Sequence, residues 1–259
     1  MAPPRNHPEL FPEDATMRIT QHGEFIPSGQ LIHILVRGRE RYAWRDDPLN
    51  SQRRVSHLEE EVANSLTALT PEAAQQIVSK VSLWGGNNKK SQRAIDNASM
   101  EYRERMQWCI ENLVKSSSPN KPLHELCNLP GISLVMASKT YRFCCPDEGA
   151  SLDRHSSYFF NSVPTYPYSA PSGFVTDFLR EWSNGRQTSS RLAIYQPPRL
   201  RRNLEQYVQV YLPRLTHIAQ FLNEHRSHYT CPVTQCRKAW RPADVEMAAY
   251  HWWSENGAK

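Results

Sequence analysis

Apolar side chains recur at intervals of three and four residues along most of this 259-residue chain, a spacing that gathers them on one face of an α-helix. Leu58, Val62, Leu66 and Leu69 form one such stripe. Ala74, Ile77, Val78 and Val81 form a second, and Tyr102, Met106, Cys109, Ile110 and Leu113 a third. A longer stripe of Leu204, Tyr207, Val208, Tyr211, Leu215, Ile218 and Leu222 predicts a helix from Asn203 to His225, kinked at Pro213. The last helix is predicted to begin at Pro242 and to bury Val245, Ala248, Ala249 and Trp252. Nothing after residue 40 alternates with the two-residue period of a sheet, so the expected fold class is all-α.

Punctuation residues divide the pattern. Ser56 with Glu59 reads as a capping box, and Thr70-Pro71 starts the next helix with proline at its tolerated first position. Trp84-Gly85-Gly86 stops that helix, Asn87 to Arg93 reads as a polar loop, and Ala94 to Val114 as one long amphipathic helix. Residues 161–173 carry three prolines and are expected to be a loop, followed by a short helix at Phe174 to Trp182. Residues 1–55 read as an irregular N-terminal extension whose one regular piece is a short strand at Gln30 to Arg37. The expected division is therefore 1–55, a helical region at 56–160, and a helical region at 161–259 that completes the fold.

Composition narrows the function classes. The longest apolar runs, such as Leu31 to Val36, fall far short of the roughly 20 residues of a membrane helix, and the first residues lack the apolar stretch of a signal peptide. A cytoplasmic monomer is expected. The six cysteines form no secretory framework. Cys231 and Cys236, with His225, His228 and His251 nearby, match no common zinc spacing, and the four-cysteine pattern of an iron–sulfur cluster is absent. No metal or cofactor is expected. A net charge of +5 suits a polyanionic partner, and the basic residues cluster at Lys89, Lys90 and Arg93 and at Arg199, Arg201 and Arg202.

Pro122 to Asn161 carries the chemistry. A short helix ends near Cys127, Leu129-Pro130-Gly131 makes a tight turn, and Ser133 caps a new helix that runs through Phe143. The second helix of such a hairpin opens with unpaired N–H groups, an arrangement that receives a phosphate oxygen.

This segment resembles the helix-hairpin-helix signature of the DNA glycosylase superfamily that includes endonuclease III and the oxoguanine glycosylases. Leu129, Pro130 and Gly131 match the hairpin, Ala137 the helix alanine, and Pro146 the proline of the following loop. Asp153 stands 22 residues after Gly131, the family interval, and His155 matches a recurrent position. Ser133 replaces the hairpin's second glycine. Val135 stands where bifunctional members carry a Schiff-base lysine.

The resemblance implies two helical lobes around a cleft, with the hairpin (122–145) at its mouth, over about residues 56–255. It implies a monofunctional glycosylase acting on double-stranded DNA. Asp153 would position water and stabilise the positive charge that develops on the sugar, His155 would support it, and Leu129, Pro130, Gly131, Ile132, Ser133 and Lys139 would contact DNA. The expected target is a damaged base or a modified base of the kind carried by phage genomes, which opens a role in phage defence. Two alternatives remain: Lys139, one turn beyond Val135, as a displaced amine nucleophile, and a module that only binds DNA. A capping role for Asp153 is compatible with either. The aromatic residues Trp84, Tyr158, Phe159, Tyr166, Tyr168, Trp252 and Trp253 are candidates for stacking on a flipped base, but core packing is the commoner use of each.

Overall fold

The computed structural model describes residues 11–42, 55–86, 89–166, 197–232 and 234–257. It is mostly helical, as the periodicity predicts. Strands β1 (Met17–Ile19) and β2 (Phe25–Pro27) form an antiparallel hairpin, to which β3 (Thr165–Tyr166) adds in parallel. Helices α1 (Gly29–Arg41), α2 (Val55–Leu66), α3 (Pro71–Trp84), α4 (Lys89–Asp96), α5 (Met100–Lys115), α6 (Asn120–Cys127), α7 (Leu134–Cys144) and α8 (Arg154–Ser162) follow one another. After an undescribed stretch come α9 (Pro197–Gln206), a π-helical turn (Tyr207–Tyr211), α10 (Leu212–Glu224), the short hairpin β4 (Tyr229–Thr230) and β5 (Arg237–Lys238), and α11 (Pro242–Asn256).

Residues 11–42 correct the reading of an irregular extension. Phe11, Ala15, Met17, Ile19, Phe25, Leu31, Ile34 and Leu35 are buried in the common core, and α1 packs along α11. The expected strand at Gln30 to Arg37 is part of helix α1. Ser28 caps that helix by accepting the Leu31 N–H at 3.2 Å. Leu31, Ile34, Leu35, Gly38 and Arg39 then face inward at helical spacing. A short apolar run fits both periods, and here the cap decides it. Gly38 lets the two helices meet, because a Cβ there would stand 2.5 Å from the carbonyl oxygen of Ala248.

Several other boundaries move. Ser56 lies inside α2, which begins at Val55, so it does not cap, and Glu59 instead meets two arginines. The polar loop expected at Asn87 to Arg93 is largely helix α4, and the long helix expected from Ala94 begins at Met100, with Ser99 as its cap. The kink near Pro213 is a π-helical turn in which the Leu212 N–H reaches back to the Tyr207 carbonyl. On α11 it is Trp253 that is buried, while Trp252 is half-buried and stacks on Phe11 at 4.4 Å. Thr70 and Pro71 start α3 as expected. The helix expected at Phe174 to Trp182 lies outside the described residues.

The packing falls into two sets. Helices α2 to α7 pack on one another, and α1, α8, α10, α11 and the β1–β2 hairpin form the second group. One carboxylate ties the sets together: Glu59 of α2 pairs within its own set with Arg142 of α7 at 2.6 Å, and across to Arg241 at the start of α11 at 3.2 Å. Asp244 of α11 holds Arg39 and Arg241, both at 2.9 Å.

Candidate functional site

The hairpin forms as the sequence requires. Helix α6 ends at Cys127, Gly131 takes φ +84°, and Ser133 caps α7 by accepting the Met136 N–H at 3.3 Å. Two features exclude a side chain at Gly131. Its φ lies in the left-handed region, and a Cβ would stand 2.6 Å from the Ser91 carbonyl oxygen and 3.3 Å from Ala94 Cβ. The turn is therefore pressed against α4, and Tyr102 of α5 donates its hydroxyl to the Pro130 carbonyl. Lys89, Lys90 and Arg93 of α4 are exposed beside it, with no ion pair among the described residues.

Helix α7 also fixes the segment that carries Asp153. Gly149 crosses the helix so closely that a Cβ would stand 2.8 Å from Arg142 Cα. Ser138 Oγ accepts the Leu152 N–H at 2.9 Å. From the other side, Tyr207 and Tyr211 donate their hydroxyls to the Ala150 and Ser151 carbonyls at 2.6 and 3.0 Å. Asp153 emerges from this clamp as the cap of α8, its Oδ1 accepting the His155 N–H at 2.8 Å.

The other carboxylate oxygen faces Lys139. Nζ lies 3.9 Å from Asp153 Oδ2, with the lysine side chain 5% and the aspartate 17% exposed. The ammonium also donates to the Gly85 carbonyl at 3.2 Å and sits 5.5 Å from the Trp84 ring centre. It thus rests at the negative end of α3, where a cation is favoured. Lys139 is five residues into α7 from Leu134, about 7.5 Å along the axis at 1.5 Å per residue. The turn and Lys139 therefore belong to one helix, less than two turns apart, and the Asp153 carboxylate meets that helix through the lysine.

Sequence reasoning missed Glu246. It is 4% exposed on α11, where burial, then Asp153, push its carboxyl up to about 8 against the pull of Arg142, Lys139 and Arg39. The one available signal was its setting: Val245, Met247, Ala248 and Ala249 surround it in sequence and are all buried.

The structure brings Asp153 and Lys139 together and leaves the hairpin residues in two classes. The Leu129 and Ile132 side chains are buried, so only their backbone can meet a ligand, whereas Pro130 is exposed and Gly131 and Ser133 are partly so. Lys139 is buried, which removes it from the phosphate-contacting surface on which it was expected. The His155 ring packs edge-on against Tyr250 of α11 at 4.9 Å. Among the aromatic candidates, Trp84, Phe159 and Trp253 are core residues, and Tyr158 stacks on Trp253 at 5.4 Å. Tyr168 lies outside the described residues. No helix among the described residues is long and apolar enough to cross a membrane, and no three His, Cys, Asp or Glu side chains there are grouped to hold a metal ion.

Fold and site together describe a mostly helical protein with a glycine hairpin feeding a helix whose buried lysine faces the aspartate that caps the next helix. Comparison with protein families, with characterised proteins and with solved structures finds no match for this chain.

Proposed function

We propose that this protein is a monofunctional DNA N-glycosylase of the helix-hairpin-helix type, acting on a damaged or modified base in double-stranded DNA. The two sets of packed helices are read as lobes flanking a cleft, with the hairpin at its mouth. One observation carries the reading: the turn at Gly131 and the Asp153 carboxylate are both fixed to α7, so a duplex gripped at the turn offers a neighbouring nucleotide to the acid. In the reaction the C1′–N bond breaks and its electron pair leaves with the base, which takes a proton. Asp153 stabilises the cationic sugar and orients the water that adds to C1′.

The test uses duplexes carrying alkylated, oxidised and phage-type modified bases, assayed for free base and abasic sites. Product from one of them supports the reading. Salt-dependent binding with no product from any of them favours a module that only holds DNA.

The basic residues of α4 give a separate expectation for binding. Replacing Lys89, Lys90 and Arg93 together with alanine is expected to weaken binding on all sequences alike and to reduce the slope of log K against log salt by about 2 to 3, since each phosphate contact contributes about 0.9. An unchanged slope measured by fluorescence anisotropy would remove α4 from the interface.

A second reading rests on the 3.9 Å between Lys139 Nζ and Asp153 Oδ2. Lys139 would attack C1′ as the amine, form an imine with the sugar and cut the strand, with Asp153 accepting its proton. Borohydride then traps the protein covalently on DNA, and Lys139→Met abolishes the trap. Base release without any trapped complex decides for hydrolysis.

A further inference from the structure

The β4–β5 hairpin brings two cysteines opposite one another. Tyr229 pairs with Lys238 and Thr230 with Arg237, and the next rung in that register is Cys231 with Cys236, where the Cys231 N–H donates to the Cys236 carbonyl at 2.9 Å. Side chains directly opposite in an antiparallel ladder lie on the same side of it. The Cα atoms of such a hydrogen-bonded pair stand about 5.5 Å apart, inside the roughly 4.4 to 6.8 Å that a disulfide spans. The Gln235 N–H closes the loop by donating to the Cys231 carbonyl at 2.9 Å, with Gln235 at φ +54°. The base of the hairpin is anchored to the rest of the fold. Tyr229 is buried, with the Arg39 guanidinium 4.7 Å from its ring centre and Trp240 edge-on at 4.9 Å, and the Thr230 N–H donates to Glu40 Oε1 at 3.0 Å. The register is thus held from outside the loop.

We propose that Cys231 and Cys236 are a redox-active dithiol, which a peroxide closes into a disulfide across the hairpin and a thioredoxin-class dithiol reopens. Both are thiols in the structure, Cys236 exposed and Cys231 half-buried. The Cys236 thiolate attacks one peroxide oxygen, the O–O bond breaks and hydroxide leaves, which gives a sulfenic acid. The Cys231 thiolate then attacks that sulfur and displaces a second hydroxide. The two protons shed by the thiols turn both hydroxides into water, so the pair loses two electrons to the peroxide. The Cβ atoms of a hydrogen-bonded pair start about 5.5 Å apart, more than the roughly 3.5 to 4.5 Å of a relaxed disulfide, so closure draws the strands together and leaves a bond that is readily reduced. The other cysteines lack this setting. Burial pushes the Cys109 and Cys145 thiols up to about 12 and those of Cys127 and Cys144 higher, which keeps them from forming the attacking thiolate.

The test uses the full chain, reduced, freed of reductant and exposed to a small excess of hydrogen peroxide, then alkylated in denaturant and mapped by mass spectrometry. The protein is expected to lose the mass of two hydrogen atoms, to keep four of its six thiols, and to yield a peptide pair joined through Cys231 and Cys236. Thioredoxin should then restore all six. Closing a loop of about six residues is expected to lower the unfolding equilibrium constant by up to about 40-fold, read as a higher urea midpoint for the oxidised protein. In Cys231→Ser the sulfenic acid has no resolving thiol, so dimedone should label Cys236. Should that variant fail to fold, the wild-type map and midpoints decide alone. A bridge through any other cysteine, a bridge between two molecules, or one that forms only after urea unfolds the chain overturns the proposal. So does wild-type protein in which Cys236 goes on to sulfinic acid while Cys231 is still alkylated. None of these readouts involves DNA, so they stand whether or not the glycosylase reading does.

Discussion

Asp153→Asn is expected to slow single-turnover base release by about 100- to 1000-fold, the usual loss when one preorganised electrostatic contact to a developing charge is removed. The substitution is chosen because it separates the two tasks of this residue. Asparagine caps a helix about as well as aspartate, so the bond to the His155 N–H and the start of α8 should survive. What disappears is the charge facing Lys139 and the cationic sugar. Lys139 keeps its bond to the Gly85 carbonyl and its place over Trp84. The variant should therefore stay folded and bind DNA with an unchanged salt slope. A loss of less than about tenfold, roughly 1.4 kcal/mol, would assign Asp153 to capping alone.

Glu59→Ala is expected to lower stability by about 3 to 5 kcal/mol, because it leaves the fully buried Arg142 guanidinium with no carboxylate. That is a large part of the roughly 5 to 15 kcal/mol of a typical domain, so the variant should unfold at much lower urea with an unchanged slope. Replacing the pair together, Glu59→Leu with Arg142→Met, should recover part of the loss, since an apolar pair needs no desolvation of charge. The same network sets the acid limb. Burial pushes Glu59 and Asp244 up, but Arg142 and Arg241 more than offset it at Glu59, and Arg241 and Arg39 bring Asp244 from its ordinary 3.8 to about 2. Both folded values are depressed. The stabilisation is therefore complete above the unfolded values and lost as pH falls from about 4 toward 2. A loss below 1 kcal/mol for Glu59→Ala would show that the cluster relaxes around the unpaired arginine.

Local chemistry was legible in the sequence where one short segment holds all of it. Gly131, Ser133 and Asp153 occupy the turn, the cap and the helix start that their residue types predict, because each acts through backbone within a few residues. Helical stripes such as Ala74, Ile77, Val78 and Val81 were legible for the same reason: one face is buried and the other is wet. Where a helix is buried on nearly every side, the stripe carries less. On α7 every residue except Val135 is buried, so Lys139 looks like a surface charge in sequence and is a core residue in space. Helix α11 likewise hides Glu246 and shifts the buried tryptophan from Trp252 to Trp253. Helix α4 was missed because Ile95 is its one buried residue, and α1 because a short, mainly apolar run satisfies either period. The meeting of Asp153 with Lys139 and of Arg142 with Glu59 depends on how helices cross, which no local pattern records.

The central claim is that the Asp153 carboxylate faces the C1′ position of a nucleotide in DNA held at the hairpin. It can be tested without knowing the base, by comparing affinity for two duplexes that carry an abasic analogue at one position. One analogue is a neutral tetrahydrofuran, and the other is a pyrrolidine whose ring nitrogen is positively charged near neutral pH and so imitates the charge of the transition state. Wild-type protein is predicted to bind the cationic duplex at least about 100-fold more tightly, and Asp153→Asn to bind both alike. Equal binding of the two duplexes by the wild-type protein would contradict the account.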